Sequence, residues 1–434
     1  MGSAPPEVWA GVECSYLEVA GWRCDQLALT GHAARIDDLD QLAELGIRSM
    51  RYPVLWGRGS GMDATDWAWA DARMERLAHL GVSPIVGLAH HGFGHIGADP
   101  LDPDYPGRFA AFASEVAQRY PWVNAFLPVN EPLTNARFGG LYGWWPPYAR
   151  DDGTFIRLLV AQCHAYRAAA LAIRRVRPDA SIMVTEDAGQ TFGTREVGAS
   201  IEHANHRRWL TFDLLTGRVD PGHPLWSYLA SVPDLLPGLE LLAAEPAPPD
   251  VLGLNYYITS DRFLDHRLDL YPSHLRDEAA AVGYVDVESV RVAGCASPGF
   301  RDAIEDTWTR YALPIALTEV QLGGASPDDQ IAWWAEAWTA ALEATSYGVP
   351  VRGVTAWAAF GSWEWCHVLR HQSGAYEAGC FDGRASPPTP TRLAAVVAQT
   401  ASTKCVAEVA PGWWRRPDRV RYPLDRPDRG RCAA

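Results

Sequence analysis

Eight short apolar runs recur along this chain with amphipathic segments between them, and that alternation restricts the fold more than any other feature. The runs are VWAGVE (8–13), IRSMRYPVLW (47–56), SPIVGLAH (83–90), VNAFLPVN (123–130), SIMVTE (181–186), DVLGLNYY (250–257), PIALTE (314–319) and RGVTAWAAF (352–360). Segments this short, and apolar along nearly their whole length, read as strands buried on both faces. Between them, DDLDQLAELG, ADARMERLAHLG, GRFAAFASEVAQRY and DDQIAWWAEAWTAALEATSYG place apolar residues at helical spacing, with Asp or Ser at starts and Gly at ends. Strand followed by helix, eight times over, predicts a single (β/α)8 TIM barrel with elaborated βα loops across residues 8–402. A doubly wound open sheet satisfies the same count, but no Gly-rich phosphate loop follows the first strand.

The longest excursion is expected at 218–249, an elaborated loop with a short helix. Residues 403–434, rich in Pro and Arg with little periodicity, read as an extended or loosely docked C-terminal tail. The 38 Lys and Arg against 52 Asp and Glu give a formal net charge of −14. Phosphate binding relies on clustered positive charge, so nucleic acid and an anionic membrane are disfavoured as partners, and a neutral or cationic small molecule fits better. No apolar run is long and clean enough to span a membrane. The eight cysteines, Cys14, Cys24, Cys163, Cys295, Cys366, Cys380, Cys405 and Cys432, form no CxxC pair and no regular framework. With no secretory leader pattern, they are expected to be reduced thiols of a cytoplasmic protein. Several of the 19 Trp fall near strand ends, as in AWAAFGSWEW, where they suit a sugar-stacking cleft or simply a large core.

A barrel of this kind gathers its chemistry at the C-terminal strand ends, so the residues ending the eight runs can be tested as a set. PVNEPL (128–133) ends the fourth run on Asn130 and Glu131. Alone, a carboxylate there is equally well explained by a strand reaching water. ALTEVQ ends the seventh run on Glu319, and Arg51, His90, Asn255, Tyr257 and Trp357 lie at or near other ends. Strands four and seven face each other across an eight-stranded barrel, which sets two carboxylates on opposite sides of one ligand. Retaining glycoside hydrolysis uses such a pair, about 5–5.5 Å apart, one as nucleophile on the anomeric carbon and one as proton donor to the leaving oxygen. The nucleophile must be ionised, which Arg51 and the Tyr257 hydroxyl favour; the acid must keep its proton, which neighbouring negative charge favours. No cofactor is called for.

The motifs RYPVLW, VNEP, LGLNYY, LTE and VTAWAAFGSWEW, in this order along the chain, resemble the family-1 glycoside hydrolases, retaining β-glycosidases with a (β/α)8 fold. The resemblance covers roughly residues 8–400, and the separation 319 − 131 = 188 residues is close to that family's. It implies Glu131 as general acid/base, Asn130 as partner of the sugar 2-hydroxyl, and Glu319 as nucleophile. It further implies Arg51, Asn255 and Tyr257 as supports, His90 on a sugar hydroxyl, Trp357 as the stacking platform, and Trp363, Glu364 and Trp365 around the distal hydroxyls. The family's N-terminal sugar-binding Gln has no direct match in GVECSYLEVAG, where Glu13 stands as its substitute. HGFGH replaces W-D-L-P after His90, and VQLGG replaces N-G after Glu319. These departures leave the bond-breaking pair intact and alter the subsites. The chain is also similar to a divergent bacterial branch in which the module can be joined to a deoxysugar reductase, which implies a sugar other than that of cellobiose.

Rival readings attach to several residues. His90, His91 and His95 form a histidine cluster without the H-E-x-x-H spacing of a zinc site, so no metal is expected. Glu186 ends strand five and reads as paired within the barrel mouth. Tyr256 and Tyr257 must point to opposite faces, one core and one site. WWAEAW (333–338) reads as helix packing. The activities that follow are a retaining β-glycosidase, a transglycosidase passing the same covalent intermediate to an acceptor in making a glycosylated metabolite, or a non-catalytic sugar-binding barrel.

Overall fold

Each of the eight apolar runs forms a strand, and the strands close a parallel barrel: β1 (Glu7–Gly11), β2 (Ser49–Pro53), β3 (Ser83–Ala89), β4 (Ala125–Val129), β5 (Ser181–Asp187), β6 (Val251–Asn255), β7 (Ile315–Val320) and β8 (Val351–Ala356). The computed structural model describes residues 4–59, 65–93, 98–293, 295, 299–417, 419 and 422. Neighbours in sequence are neighbours in the barrel, and β1 closes it by pairing with both β2 and β8. β6 and β7 are buried along their whole length. Trp9, Ile85, Leu127, Met183, Val251 and Ala316 form one apolar layer inside the barrel, while the outward faces join a larger core shared with the helices. This two-sided burial is why the strand segments carry so little polar alternation.

The barrel helices are α1 (Asp38–Glu44), α2 (Trp67–His79), α3 (Tyr105–Arg119), α4 (Asp152–Val176), α5 (Leu210–Leu215), α6 (Phe300–Tyr311), α7 (Pro327–Ser346) and α8 (Arg392–Thr403). Side chains of Asp66, Asp151 and Ser326 accept from the N–H groups of Trp69, Thr154 and Asp329, satisfying donors that a helix start leaves open. In α7, Trp333, Trp334 and Trp338 are buried, so WWAEAW is packing, as its spacing predicts. No helix among the described residues is long and apolar enough to cross a membrane.

The βα loops carry the elaboration. A hairpin of Tyr16–Val19 and Trp22–Asp25 follows β1, and another of Ser362–Trp363 and Tyr376–Glu377 follows β8. Thr191–Gly193, Arg262–Asp265 and Val285–Glu288 form a three-stranded sheet from the loops after β5 and β6. The 218–249 stretch, expected to be the longest excursion, runs through short helices, Trp226–Leu229 and Leu236–Ala244, back toward β6. The longer elaboration lies between β6 and α6. Its strands escape notice because RFLD and VDVE are partly exposed and lack a continuous apolar run.

Part of the Pro/Arg-rich C-terminal stretch is firmly docked. Trp413–Arg415 form a turn in which Trp414 is 1% exposed, meets Trp333 edge-on at 5.1 Å and donates its indole N–H to Glu336 at 2.9 Å. Arg415 pairs with the same carboxylate, and the Trp413 N–H donates to Asp329 at 2.9 Å. Trp414→Ala is therefore expected to destabilise the protein by about 3–5 kcal/mol in urea unfolding, the range for deleting a buried Trp. A loss below about 0.5 kcal/mol, as at an ordinary surface position, would show that this segment contributes nothing to the fold.

Candidate functional site

Two local irregularities aim the carboxylates. Asn130 and Glu131 continue β4 by donating their N–H groups to Ala89 O (2.9 Å) and Thr185 O (3.1 Å). At Glu131 the backbone then turns left-handed, φ 46° and ψ 61°, before Pro132 opens the short helix Pro132–Ala136. A non-glycine residue adopts this region at a cost of about 1–3 kcal/mol and keeps it only where its surroundings impose it. The turn brings two consecutive side chains to one site, where a regular strand would send them to opposite faces. In β7 the pairing register shifts between Leu317 and Glu319 against β6, and between Leu317 and Val320 against β8. Such bulges re-aim side chains, and here both Thr318 and Glu319 turn inward.

One hydrogen-bond network joins six of the expected residues. Arg51 Nη1 donates to Glu319 Oε1 at 2.9 Å and to Thr318 O at 2.7 Å, while its Nη2 donates to Asn130 Oδ1 at 2.8 Å. The Tyr257 hydroxyl donates to Glu319 Oε2. Asn255 Nδ2 donates to Glu131 Oε1 at 2.6 Å, and Thr318 Oγ1 donates to Asn255 Oδ1 at 2.7 Å. Thr185 Oγ1 donates to Asn130 Oδ1 at 2.7 Å, which fixes the amide so that its Nδ2, buried and without a partner among the described residues, is free to donate elsewhere. Tyr256, on the other face, is buried against Phe300 and Trp333 and donates to Asp261.

A second group sits beside the first. Arg51 lies 4.3 Å over the Trp357 ring, His90 stacks on Trp357 at 5.2 Å, and Trp357 Nε1 donates to Glu13 Oε2 at 3.3 Å. Glu13 Oε1 accepts from the Ser15 N–H (2.9 Å) and hydroxyl (2.6 Å) and faces His90 Nε2 at 3.7 Å. Gly11 permits this packing, since a Cβ there would meet the Trp357 ring at 2.5 Å. The third group, on the loop after β8, is less closely joined. Glu364 is bound by its own loop, accepting from the Ser373 N–H and hydroxyl and the Gly374 N–H. Trp363 packs on Tyr376, and Trp365 reaches His91 at 5.1 Å; both indole N–H groups are buried without partners among the described residues.

Electrostatics separate the two central carboxylates. Burial, then the Glu319 charge, with Glu186 and Asp187, push Glu131 well above the ordinary carboxyl range; the Asn255 hydrogen bond opposes this and loses. Glu319 is paired with a guanidinium and a phenol hydroxyl. Burial would raise Glu13 too, but His90 outweighs it, with His91 and Ser15, and holds the carboxyl down to about 2. His90 is lowered by burial but raised more by Cys14 and Glu13, so it ends well above the ordinary imidazole value. His91 is pushed down to about 3 by burial and by His90. His95 lies outside the described residues, among which no group of three or more His, Cys, Asp or Glu is placed to hold a metal ion.

Several contributors have no signal in the sequence. Thr185 and Thr318 orient the two asparagines, and Gly253 makes room for both, because a Cβ there would lie 2.5 Å from Thr185 Cγ2 and 2.7 Å from Thr318 Oγ1. Gln26 holds the Trp363 peptide at both ends, donating to its carbonyl (2.8 Å) and accepting from its N–H (3.0 Å). Glu186, expected to be paired within the barrel mouth, accepts hydrogen bonds from the Leu133 N–H and the Thr211 hydroxyl.

No protein-family model matches this chain. Solved structures of a β-glucosidase from Thermotoga maritima share its fold. The complex with deoxynojirimycin is 17% identical over 94% of this chain and 100% of that one, with a TM-score of 0.72. A structure described as the family 1 β-glucosidase of that organism is 16% identical over 94% and 100%, with a TM-score of 0.71. The complex with cyclophellitol is 15% identical over 94% and 99%, with a TM-score of 0.72.

The asymmetry makes a direct prediction. Replacing Glu319 by Gln removes the negative charge that raises Glu131 most, so the Glu131 carboxyl should titrate at lower pH in Glu319→Gln than in the wild type, read by carbon NMR of labelled glutamate. An unchanged titration would mean that the two carboxyls do not share one field.

Proposed function

We propose that the protein is a retaining β-glycosidase. The reading rests above all on the unequal holding of two buried carboxylates at opposed strand ends: Glu319 clasped by Arg51 and Tyr257, Glu131 bound by the Asn255 amide and pushed up by its neighbours' charge. The ionised Glu319 attacks the anomeric carbon as the glycosidic C–O bond breaks, and its electron pair passes to the leaving oxygen, which takes the Glu131 proton. The ester formed at Glu319 carries no charge, so the Glu131 carboxyl becomes more acidic. It then accepts a proton from the water that attacks the same carbon and frees Glu319. Asn130 Nδ2 is the donor for the sugar 2-hydroxyl, Trp357 the platform under the ring, and His90 with Glu13 the polar pair at its edge. Trp363, Glu364 and Trp365 belong to the far end of the sugar. The solved structures that share this fold include those of a β-glucosidase, which accords with a β-linked glycoside as substrate.

Incubation with 2-deoxy-2-fluoro β-glycosides bearing good leaving groups should add the mass of one fluorosugar to the peptide containing Glu319, and the sugar that labels identifies the glycone. Label on another carboxylate would displace Glu319 from its role, and no label from any sugar would favour a binding barrel. Glu131→Ala should lower kcat/KM by about a hundredfold or more for substrates with poor leaving groups and far less for activated aryl glycosides, as expected when a general acid is lost. Equal losses would exclude Glu131 as the acid. In the wild type, kcat/KM should hold while Glu131 keeps its proton and fall as pH rises through its elevated pKa.

A further inference from the structure

The proposed reaction leaves a buried carboxylate beside Glu131 without a task. Glu186, near the end of β5, is 1% exposed. Its Oε1 accepts two hydrogen bonds, from the Leu133 N–H at 2.6 Å and the Thr211 hydroxyl at 2.5 Å, and its Oε2 is buried with no partner among the described residues. Leu133 lies in the first turn of the helix that Glu131 opens, and the Glu131 side chain makes no capping bond to it. Pro132 has no N–H, so the Leu133 N–H is the first donor this helix start must satisfy. Glu186 satisfies it from another strand, and through Thr211 ties the same oxygen to α5. The left-handed backbone at Glu131 is thereby held on both sides, by its own N–H on Thr185 O and by Leu133 on Glu186.

We propose that Glu186 is a positioning residue for Glu131: by clamping Leu133 and Thr211 on one oxygen it fixes the strained turn that aims the Glu131 carboxyl at the leaving-group oxygen. This rests on the reading of Glu131 as proton donor. The clamp does not require ionisation, because a carboxyl protonated on Oε2 still accepts both bonds on Oε1. What titration changes is the charge near Glu131. Burial pushes Glu186 up to about 7 against the hydrogen bonds of Thr211 and Leu133 and the charge of Arg137, with Asp187 acting in the same sense as burial. The other ionisable groups facing it are Glu131 and Cys163, and Arg137 itself lies 3.6 Å from Asp187. Near neutral pH, Glu186 is thus partly charged and adds to the forces that keep Glu131 protonated.

Glu186→Ala and Glu186→Gln separate the two contributions when compared with the wild type and Glu131→Ala on methyl and 2,4-dinitrophenyl β-glycosides of the sugar that labels Glu319. Glu186→Ala should lose about tenfold or more on the methyl glycoside and much less on the dinitrophenyl one, a muted form of the acid-deletion pattern. Glu186→Gln keeps an acceptor for both donors, so it should recover most of that loss, while the alkaline limb of kcat/KM moves to lower pH because one charge raising Glu131 is gone. Equal losses on both substrates in Glu186→Ala would mark a merely structural cap and overturn the inference, as would failure of Glu186→Gln to recover activity. If Glu186→Ala does not fold, Thr211→Val, which removes one of the two bonds on Oε1, stands in for it: equal losses on both substrates overturn the inference. Should Glu131→Ala itself show no leaving-group dependence while Glu186→Ala does, it is the assignment of Glu131 that fails.

Discussion

The buried contact between Arg51 and Glu319 is the interaction on which the barrel mouth depends. Taking both charges out of water costs several kcal/mol per ion, and an isolated pair seldom recovers that cost. Here the guanidinium fork is used on several sides: Glu319 and the Thr318 carbonyl on one nitrogen, Asn130 on another, and the Trp357 ring against its face. β2, β4, β7 and the end of β8 therefore converge on one side chain. A lysine could not replace it, because a single ammonium has neither the fork nor the flat face. The pair also fixes where negative charge lies, and the neighbouring carboxyl responds to that charge.

This response gives the site its sense of direction. Glu131 is raised by burial first and by Glu319 next, so its affinity for a proton depends on whether Glu319 is ionised. Glu13 does not blur the relation, because His90 beside it is held in the charged form and the two nearly cancel. A site in which Glu186 were fully charged, and not only partly so near neutral pH, would keep Glu131 protonated even after Glu319 had lost its charge. Under the proposed mechanism, that would slow the half-reaction in which Glu131 must accept a proton.

The barrel was legible in the sequence because its strands are buried on both faces, so each appears as an unbroken apolar run ending at the site. Position at those ends was enough to collect Arg51, Asn130, Glu131, Asn255, Tyr257 and Glu319 into the set that the structure joins by hydrogen bonds. What was not legible depends on backbone departures that leave no compositional trace. Strict alternation places Thr318 and Glu319 on opposite faces, and only the register shift in β7 turns both inward. The left-handed turn at Glu131 falls on a residue type with no preference for it, and the vacancy at Gly253 matters only once Thr185 and Thr318 are seen to fill it. The docking of Trp414 was hidden differently, since an anchor of one buried indole carries no periodicity.

The asparagines of the site differ in how fully the protein satisfies their polar atoms. Leaving a buried donor unpaired costs about 1–3 kcal/mol, so such atoms are scarce where nothing requires them. The side-chain polar atoms of Asn255 and Thr318 all have protein partners, and their bonds run from one carboxylate's neighbourhood to the other's. Asn130 differs: its oxygen is held by Arg51 and Thr185, yet its Nδ2 is buried and unpaired. Trp363 Nε1 and Trp365 Nε1 share that condition among the described residues, and the family resemblance would set both residues against a sugar. A glycoside brings several hydroxyl acceptors into a confined space, and pairing them with donors that are already desolvated and held in place requires little reorganisation on binding. The barrel mouth is therefore less stable than it could be in those positions where a sugar hydroxyl would supply the missing partner.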